Sequence, residues 1–166
     1  IKPQKGYLEK IKKRCEEVGA LLILDEIQPG MGRTGKLFAF MDHNIVPDVL
    51  VTGKGLGGGL PVGAFIAAQH HMAQLKEAPS LGHITTFGGN PVIAAACRAT
   101  LSTILNSNLM TEALVKEQLF RELLVHKKIK EIRGKGLMLA LIMDSPESAQ
   151  HAVKHALKNG VLLFFL

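Results

Sequence analysis

The chain has 166 residues, of which 47% are hydrophobic and 20% are charged, and its formal net charge is +6. This composition is typical of a globular domain with a sizeable core, and no apolar run reaches the roughly 18 residues that a membrane helix needs. The basic residues are scattered among acids, and aromatic residues make up only 5% of the chain, so a nucleic-acid interface is not expected.

The cysteines favour a reducing compartment. Cys15 and Cys97 lie far apart and belong to no CxxC pattern, and a disulfide framework requires more cysteines than these. The opening segment Ile1–Lys5 leads into a polar helix without the apolar stretch of a signal peptide. We therefore expect a cytoplasmic protein.

The amino-terminal part of the chain predicts an α/β sheet. Residues 7–18 carry apolar side chains at helical spacing, and Gly19 is a typical helix stop. The run Leu21–Leu24 is apolar at every position, which predicts a strand covered on both faces. Further strands are predicted over 49–51 and 62–68. The short connection between these two strands favours an antiparallel pair, so the sheet is predicted to be mixed.

The carboxyl-terminal part predicts three helices and more strands. Asn as N-cap and Pro at the first helical position predict a helix over 90–105. A second helix is predicted over 111–126, with Thr111 as its cap. Residues 129–143 indicate a strand pair that bends at two glycines, and 145–158 indicate a helix. Residues 161–166 predict a last strand. Because no polar turn follows this strand, we expect the natural protein to continue.

Asp25 and Lys54 are the first candidates for chemistry. Each follows an apolar strand, and ligands bind α/β sheets at the carboxyl ends of their strands. A lysine amine condenses with the aldehyde of pyridoxal 5′-phosphate (PLP), and a carboxylate beside the pyridine nitrogen keeps that nitrogen protonated, so that the ring accepts electrons. The glycines within 53–59 let the backbone approach a flat ligand closely. A flexible hairpin loop is the alternative interpretation of these glycines.

The segment 83–91 is a third candidate, because Thr85 and Thr86 precede a glycine pair and a helix start. Hydroxyl groups and backbone N–H groups at such a position are typical of a phosphate anchor. A simple turn before a capped helix accounts for the same residues, and the segment alone does not decide between the two interpretations.

Two other patterns fit known sites less well. Residues 30–36 match most of a nucleotide-binding P-loop, but Leu37 stands where Mg²⁺ binding needs Ser or Thr, and the acidic strand precedes the loop instead of following it. His151 and His155 have a spacing that can bind zinc, yet no third ligand lies nearby in the sequence. We therefore expect neither a nucleotide triphosphate site nor a metal site.

Three segments together resemble the class III (subgroup II) aminotransferases, the family of acetylornithine, ornithine and 4-aminobutyrate aminotransferases. They are LLILDEIQPGMGRTGKLFAF, PDVLVTGKGLGGGLPVGAFI and HITTFGGNPVIAAA, in the family's order and spacing. The later segment IKEIRGKGLMLAL resembles the family's entry into a small carboxyl-terminal domain. The resemblance implies the α/β fold of PLP-dependent transferases (the aspartate aminotransferase-like fold), a mixed, mostly parallel sheet with flanking helices. Residues 1–127 would belong to the large PLP-binding domain, and 128–166 would begin a smaller α+β domain.

The resemblance also implies roles for five residues. Asp25 pairs with the pyridinium nitrogen of PLP, Gln28 hydrogen-bonds its phenolic oxygen, and Lys54 forms the Schiff base. Thr86 binds the cofactor phosphate in the neighbouring subunit of a homodimer, and Thr85 assists it.

A PLP-dependent aminotransferase that moves an amino group from an ω-amino donor, such as ornithine or N-acetylornithine, to 2-oxoglutarate is the function that the resemblance implies. Its partners are small molecules, with no nucleic acid and no membrane. Glu26 and Arg33 also lie in the matching segments and are interpreted as structural. The chain is much shorter than family members and lacks their substrate-binding segments. Another PLP reaction on the same scaffold (aminomutase, racemase or decarboxylase) and a catalytically silent fragment stay open.

Overall fold

A computed structural model of the protein describes residues 3–77, 79–80 and 83–165. The strands in this part of the chain form two sheets. The helices and strands follow one another as α1 (Tyr7–Val18), β1 (Ile23–Asp25), β2 (Val49–Gly53), β3 (Gly63–Ala67), α2 (Gln69–Ala73), α3 (Pro91–Leu105), α4 (Leu109–Leu123), β4 (Ile129–Lys135), β5 (Met138–Met143) and α5 (Pro146–Lys158), with short 3₁₀ segments at Ala39–Asp42, Lys54–Gly57 and Gln74–Lys76.

Helix α1 ends at Gly19, as predicted. The φ angle of this glycine is +69°, a left-handed conformation that glycine adopts without strain. Its N–H donates to the carbonyl of Glu16 at 3.3 Å, and the N–H of Ala20 donates to the carbonyl of Cys15 at 2.8 Å. These bonds satisfy carbonyl groups that the last helical turn leaves unpaired, so the chain leaves the helix at this point.

The first sheet is mixed, as predicted. β1 pairs with β2 in parallel, and Asp25 is the register partner of Val51. β2 pairs with β3 in antiparallel orientation, and Gly53 lies opposite Gly63. The connection between β2 and β3 is too short for a parallel crossover, which explains why the chain turns back on itself here.

One face of the first sheet carries the core. Leu22 is 7% exposed, whereas Ile23, one residue further along, is 58% exposed. Successive side chains of a strand point to opposite faces, and Leu50 and Thr52 are buried on the covered side of β2. The prediction that the first strand is covered on both faces was therefore wrong, because the described residues leave the outer face of β1 open.

Helices α3 and α4 follow the sheet. The side chain of Asn90 accepts hydrogen bonds from the N–H groups of Val92 and Ile93, at 3.0 and 3.2 Å, so the predicted N-cap of α3 is confirmed. Helix α4 begins at Leu109, so the prediction that Thr111 caps it was wrong. The turn that starts this helix comes earlier, because the N–H of Leu109 already bonds the Ser107 hydroxyl, at 3.5 Å.

Strands β4 and β5 form the predicted pair and are antiparallel. Gly134 has φ +125°, and a Cβ atom at this position would overlap the backbone of Met138, so only glycine fits here. Helix α5 then starts at the predicted place, where the Ser145 hydroxyl accepts the N–H of Ser148 at 3.2 Å.

Residues 161–165 do not form the strand that their apolar sequence predicted. They follow α5 without regular secondary structure, and Phe164 and its neighbours are exposed. A strand needs the hydrogen bonds of a neighbouring strand, and none of the described strands pairs with this segment. The last residue of the predicted strand, Leu166, lies outside the described residues.

Candidate functional site

The carboxyl ends of β1 and β2 bring Asp25 and Lys54 to the same edge of the sheet. The two strands are parallel, Asp25 ends β1, and Lys54 directly follows the last residue of β2. The pairing continues one residue past Asp25, since the N–H of Glu26 donates to the carbonyl of Val51 at 2.8 Å. The predicted meeting of the two segments at one sheet edge is thus present in the fold.

The loops that leave the two strands also contact each other. A Cβ atom on Gly55, next to Lys54, would lie 3.3 Å from the Cβ of Met31. A Cβ atom on Gly53 would lie 3.8 Å from a side-chain carbon of Ile27, which immediately precedes Gln28. The loop that carries Gln28 therefore lies directly beside the loop that carries Lys54.

The Asp25 carboxylate is held by its own turn. Its Oδ1 accepts the N–H of Ile27 at 2.9 Å, an arrangement that Asp commonly forms with the backbone two residues further on. Among the described residues no group donates to Oδ2. Both Asp25 and Gln28 are exposed, so a ligand at this edge can reach one carboxylate oxygen and one amide.

Lys54 has a backbone conformation that is uncommon for its residue type. Its φ angle is +42°, in the left-handed region, and its side chain is exposed. The 3₁₀ segment that it begins packs against α3, where a Cβ atom on Gly58 would overlap the hydroxyl of Thr100. Strained residues of this kind persist where the surrounding structure fixes them, and they cluster at functional sites.

Among the described residues, neither Thr85 nor Thr86 is hydrogen-bonded to Asp25 or Lys54. Both threonines are exposed and lie before α3, and the N–H of Gly88 donates to the carbonyl of Thr85 at 3.2 Å. The Lys54 loop packs against the middle of α3, where a Cβ atom on Gly58 would meet the hydroxyl of Thr100 and the carbonyl of Ala96. This contact lies within α3, after the helix start that the two threonines precede.

Sequence reasoning missed one strained residue at this edge. Met31, which contacts Gly55, has φ +58°. Methionine carries no signal for a left-handed conformation, and only the flanking Gly30 and Gly32 indicated a turn. The backbone carbonyl of Arg33 accepts the N–H of Leu137, in the turn before β5, at 2.8 Å. The structural interpretation of the Arg33 side chain stays a prediction.

The groups whose pKa values depart from their usual range lie away from this edge. At the opposite, amino-terminal end of β2, hydrogen bonds from Lys12 and from the N–H of Leu22 lower the pKa of Asp48. A groove of about 820 Å³ opens beside Asp48, and it is lined by α1, the 44–48 loop and the start of α2. It contains none of the five predicted site residues. Because α/β sheets bind ligands at carboxyl strand ends, we take the Asp25–Lys54 edge as the candidate site.

The residues at the candidate edge fit PLP chemically. They include a primary amine for the aldehyde and a carboxylate with one free oxygen for the ring nitrogen. The Lys54 side chain is exposed, and a Cβ atom placed on Gly63, the register partner of Gly53, would meet no atom within 4 Å.

The described residues offer no competing metal or membrane feature. They contain no group of three or more His, Cys, Asp and Glu side chains that could hold a metal ion. His151 and His155 lie one turn apart on α5 with their rings stacked 6.4 Å apart. Over the same part of the chain, no helix has both the length and the apolar character needed to cross a membrane.

Comparisons with known proteins connect this geometry to one family. The family model "Aminotransferase class-III" matches residues 1–165. Ornithine aminotransferase from Plasmodium yoelii is 33% identical with a TM-score of 0.87, and the match covers 100% of this chain and 45% of that protein. N-acetylornithine aminotransferase from Stenotrophomonas maltophilia K279a is 32% identical with a TM-score of 0.79, covering 96% and 42%.

A structure of ornithine aminotransferase from Toxoplasma gondii, described as having PLP at partial occupancy in its active site, is 35% identical with a TM-score of 0.86. That match covers 98% of this chain and 39% of the Toxoplasma protein. The chain thus spans less than half the length of these solved relatives.

Proposed function

The chain belongs to the class III aminotransferases, which are PLP-dependent enzymes, and from this premise we propose that it supplies the lysine-bearing part of a transamination site. The reaction would move an amino group from an ω-amino donor to 2-oxoglutarate. Ornithine and N-acetylornithine are the proposed donors, because solved relatives that cover nearly the whole chain are aminotransferases named for these compounds. The observation that carries the proposal is the common sheet edge of Asp25 and Lys54.

Three side chains of this edge would hold the cofactor. Lys54 would bind its aldehyde through Nζ, forming the Schiff base. Asp25 would accept a hydrogen bond from the protonated pyridine nitrogen with Oδ2, the oxygen that its own turn leaves free. Gln28, whose loop lies beside the Lys54 loop, would donate its amide N–H to the phenolic oxygen. When bound, PLP supplies an electron sink for the carbon that carries the amino group.

Lys54 would have a second task as the proton carrier. Once a donor amine had replaced it on the cofactor, its Nζ would be free to carry a proton. An uncharged lysine amine takes a proton from one carbon and returns it to another atom as general base and then general acid. Lys54 is exposed at the carboxyl edge of the sheet, so a substrate amine can reach it.

Thr85 and Thr86 would serve the site of a second subunit in a homodimer. Within one chain they precede α3, and the Lys54 loop packs against the middle of that helix. The residues on either side of them in the sequence are apolar and exposed, Ile84 by 64% and Phe87 by 75%. An exposed apolar surface beside polar groups is typical of a protein–protein interface. The proposal therefore includes Thr86 as the phosphate ligand of the neighbouring site.

The proposed domain division places 1–127 in the large PLP-binding domain and 128–166 at the beginning of a smaller domain. Its support is the separation of the strands into two sheets. A reducing, cytoplasmic location is also part of the proposal, since Cys15 and Cys97 are both free thiols.

Reduction with borohydride tests the role of Lys54. The chain is mixed with PLP, visible absorbance is recorded, and borohydride then fixes any adduct for mass analysis of its peptides. We expect the added mass on Lys54 and its absence in Lys54→Ala. Lys36→Ala, which removes an exposed lysine of the Gln28 loop, is the matched control and should label like the unchanged chain. Label on other lysines, undiminished by Lys54→Ala, would refute the assignment.

A further inference from the structure

We infer that Glu26 is a positioning residue for the proposed cofactor site, to which it contributes no contact of its own. Its buried carboxylate fixes the turn that carries Asp25 on one side and Gln28 on the other. The expected effect of Glu26 on PLP binding rests on the proposed function. The fixing of the turn by Glu26 rests only on its own hydrogen bonds.

The Glu26 side chain is 3% exposed, and both of its carboxylate oxygens are occupied. Oε2 accepts the N–H of Ala39 at 3.0 Å, and Oε1 accepts the N–H of Phe40 at 2.8 Å. Hydrogen bonds to a charged acceptor are stronger than neutral ones, and an unpaired buried carboxylate is costly. The two successive N–H groups therefore fix the direction of this side chain.

The backbone of Glu26 is fixed as firmly as its side chain. Its N–H donates to the carbonyl of Val51 on β2 at 2.8 Å, and its carbonyl accepts the N–H of Gly30 at 3.0 Å. A Cβ atom on Gly30 would lie 2.5 Å from this carbonyl oxygen and 3.1 Å from the buried ring of Phe38. One residue thus connects β2, the end of the Gln28 loop and the 3₁₀ segment at Ala39–Asp42.

The chemistry of the contact makes conservative replacements informative. Gln has nearly the same size as Glu but only one acceptor oxygen, so one of the two N–H donors loses its partner. A residue that merely fills space would tolerate Glu26→Gln. A residue that holds two successive N–H groups would not.

Amide hydrogen exchange tests the positioning without any cofactor. Neither Ile27 nor Gly30 donates to the Glu26 carboxylate. We expect the amides of both residues to exchange about tenfold faster in Glu26→Gln. Asp48→Asn is the control, because Asp48 bonds the N–H of Leu22 at the other end of the same strand. There the Leu22 amide should exchange faster while Ile27 and Gly30 change less than about twofold. Equal exchange of Ile27 and Gly30 in the two variants would overturn the inference.

A PLP titration tests the consequence for the site. The apparent affinity should fall about tenfold in Glu26→Gln and less than about threefold in Asp48→Asn, compared at matched loss of thermal stability. An unchanged affinity in Glu26→Gln would overturn the positioning role. If the unchanged chain takes up no PLP, the proposed function fails, and the exchange experiment still decides whether Glu26 fixes the turn.

Ala39→Pro provides a second variant in case Glu26→Gln does not fold. Ala39 is the first residue of its 3₁₀ segment and follows an extended residue, so proline fits its backbone. The substitution removes one N–H donor and leaves the carboxylate intact. The same faster exchange at Ile27 and Gly30 is expected, and its absence would contradict the inference.

Discussion

Lys54 occupies a backbone position where glycine would be more stable. Its φ angle of +42° brings the Cβ atom close to the following carbonyl, a strain that costs roughly 1–2 kcal/mol for residues other than glycine. Five glycines lie within 53–59, yet the strained position among them is filled by lysine. We interpret this as stability given up for the amine.

Replacing Lys54 should separate stability from cofactor binding. We expect Lys54→Gly to exceed Lys54→Ala in free energy of unfolding by about 1 kcal/mol, because only glycine relieves the left-handed strain. Both variants should lose borohydride-fixed PLP. Urea unfolding of the two variants measures the difference, and a Lys54→Ala protein as stable as Lys54→Gly would show that the position is not strained.

Asp48 connects α1 to the first sheet by two hydrogen bonds. Its carboxylate accepts Nζ of Lys12 and the N–H of Leu22, each at 2.8 Å. These donors, Lys12 first, lower the pKa of Asp48, and the same carboxylate raises the pKa of Lys12. Stability from Asp48 is thus present above its ordinary pKa of 3.8 and lost as pH falls through the lowered folded-state value. Stability from Lys12 is present below its ordinary pKa of 10.5 and lost as pH rises through the raised value.

Asp48→Asn should therefore destabilise the protein in a pH-dependent way. At pH 7 we expect a loss of about 1 kcal/mol, since the ion pair with Lys12 is removed and the N–H of Leu22 is left with a weaker, uncharged acceptor. The difference from the unchanged chain should shrink as pH is lowered to about 3. Urea unfolding across this range measures it. Glu16→Gln, which removes the more exposed partner of Lys12, should have little effect, and a pH-independent difference for Asp48→Asn would contradict the prediction.

At the scale of elements, one ion pair on α4 holds the second sheet. Arg121 donates to the carbonyls of Ile132 and Gly134, at 2.8 and 3.2 Å, and also to Glu117. The other oxygen of Glu117 accepts the N–H of Gly136 at 2.5 Å. Because both partners also bond the β4–β5 backbone, this pair contributes more to position than an isolated surface ion pair would.

Arg121→Met should loosen this sheet while leaving the first one unchanged. We expect the amide of Gly136 and its neighbours in the turn to exchange about five- to tenfold faster, as the loss of roughly 1 kcal/mol implies. Lys116→Met is the control, since Lys116 pairs only with the exposed Glu112 on the same helix. Hydrogen exchange read by mass spectrometry compares the two. Equal effects of both substitutions would mean that the Arg121 contacts with the hairpin carry no stability.

Elements with local signals could be predicted from the sequence, and elements that need a partner could not. Gly19 and the Asn90–Pro91 pair mark helix ends by their own conformational preferences, so their positions were confirmed. The segment 161–165 has strand-like residues, but strand formation depends on a neighbouring strand that no local pattern supplies. The same limit explains the open face of β1, because burial depends on what packs against the strand.

The candidate site shows the same division. Asp25 and Lys54 could be placed at one edge, since an apolar strand precedes each of them and parallel strands share their carboxyl edge. The contacts of Glu26 could not be predicted, because its partners at Ala39 and Phe40 approach only in the folded chain. The packing of the Lys54 loop against Ala96 and Thr100 of α3 likewise depends on the folded chain.

For the whole molecule, the location of Thr86 raises the question of subunit number. The chain spans less than half the length of its solved relatives and presents Thr86 on an exposed segment with apolar neighbours. When residues of two subunits form one site, variants with defects in different residues can complement each other in a mixed dimer. The homodimer proposal can therefore be tested by mixing two defective variants.

Lys54→Ala and Thr86→Ala should complement each other. In a mixed dimer, one site combines the intact Lys54 of one subunit with the intact Thr86 of the other, and the second site carries both defects. Random assortment of equal amounts makes about a quarter of all sites intact. We expect PLP fixed by borohydride, at a concentration too low to label either variant alone, to appear at this fraction after the subunits are unfolded and refolded together. If Thr86 served only its own subunit's site, each chain would keep its own defect in a mixed dimer. Labelling would then stay at the average of the two separate variants, and this result would contradict the proposed role of Thr86.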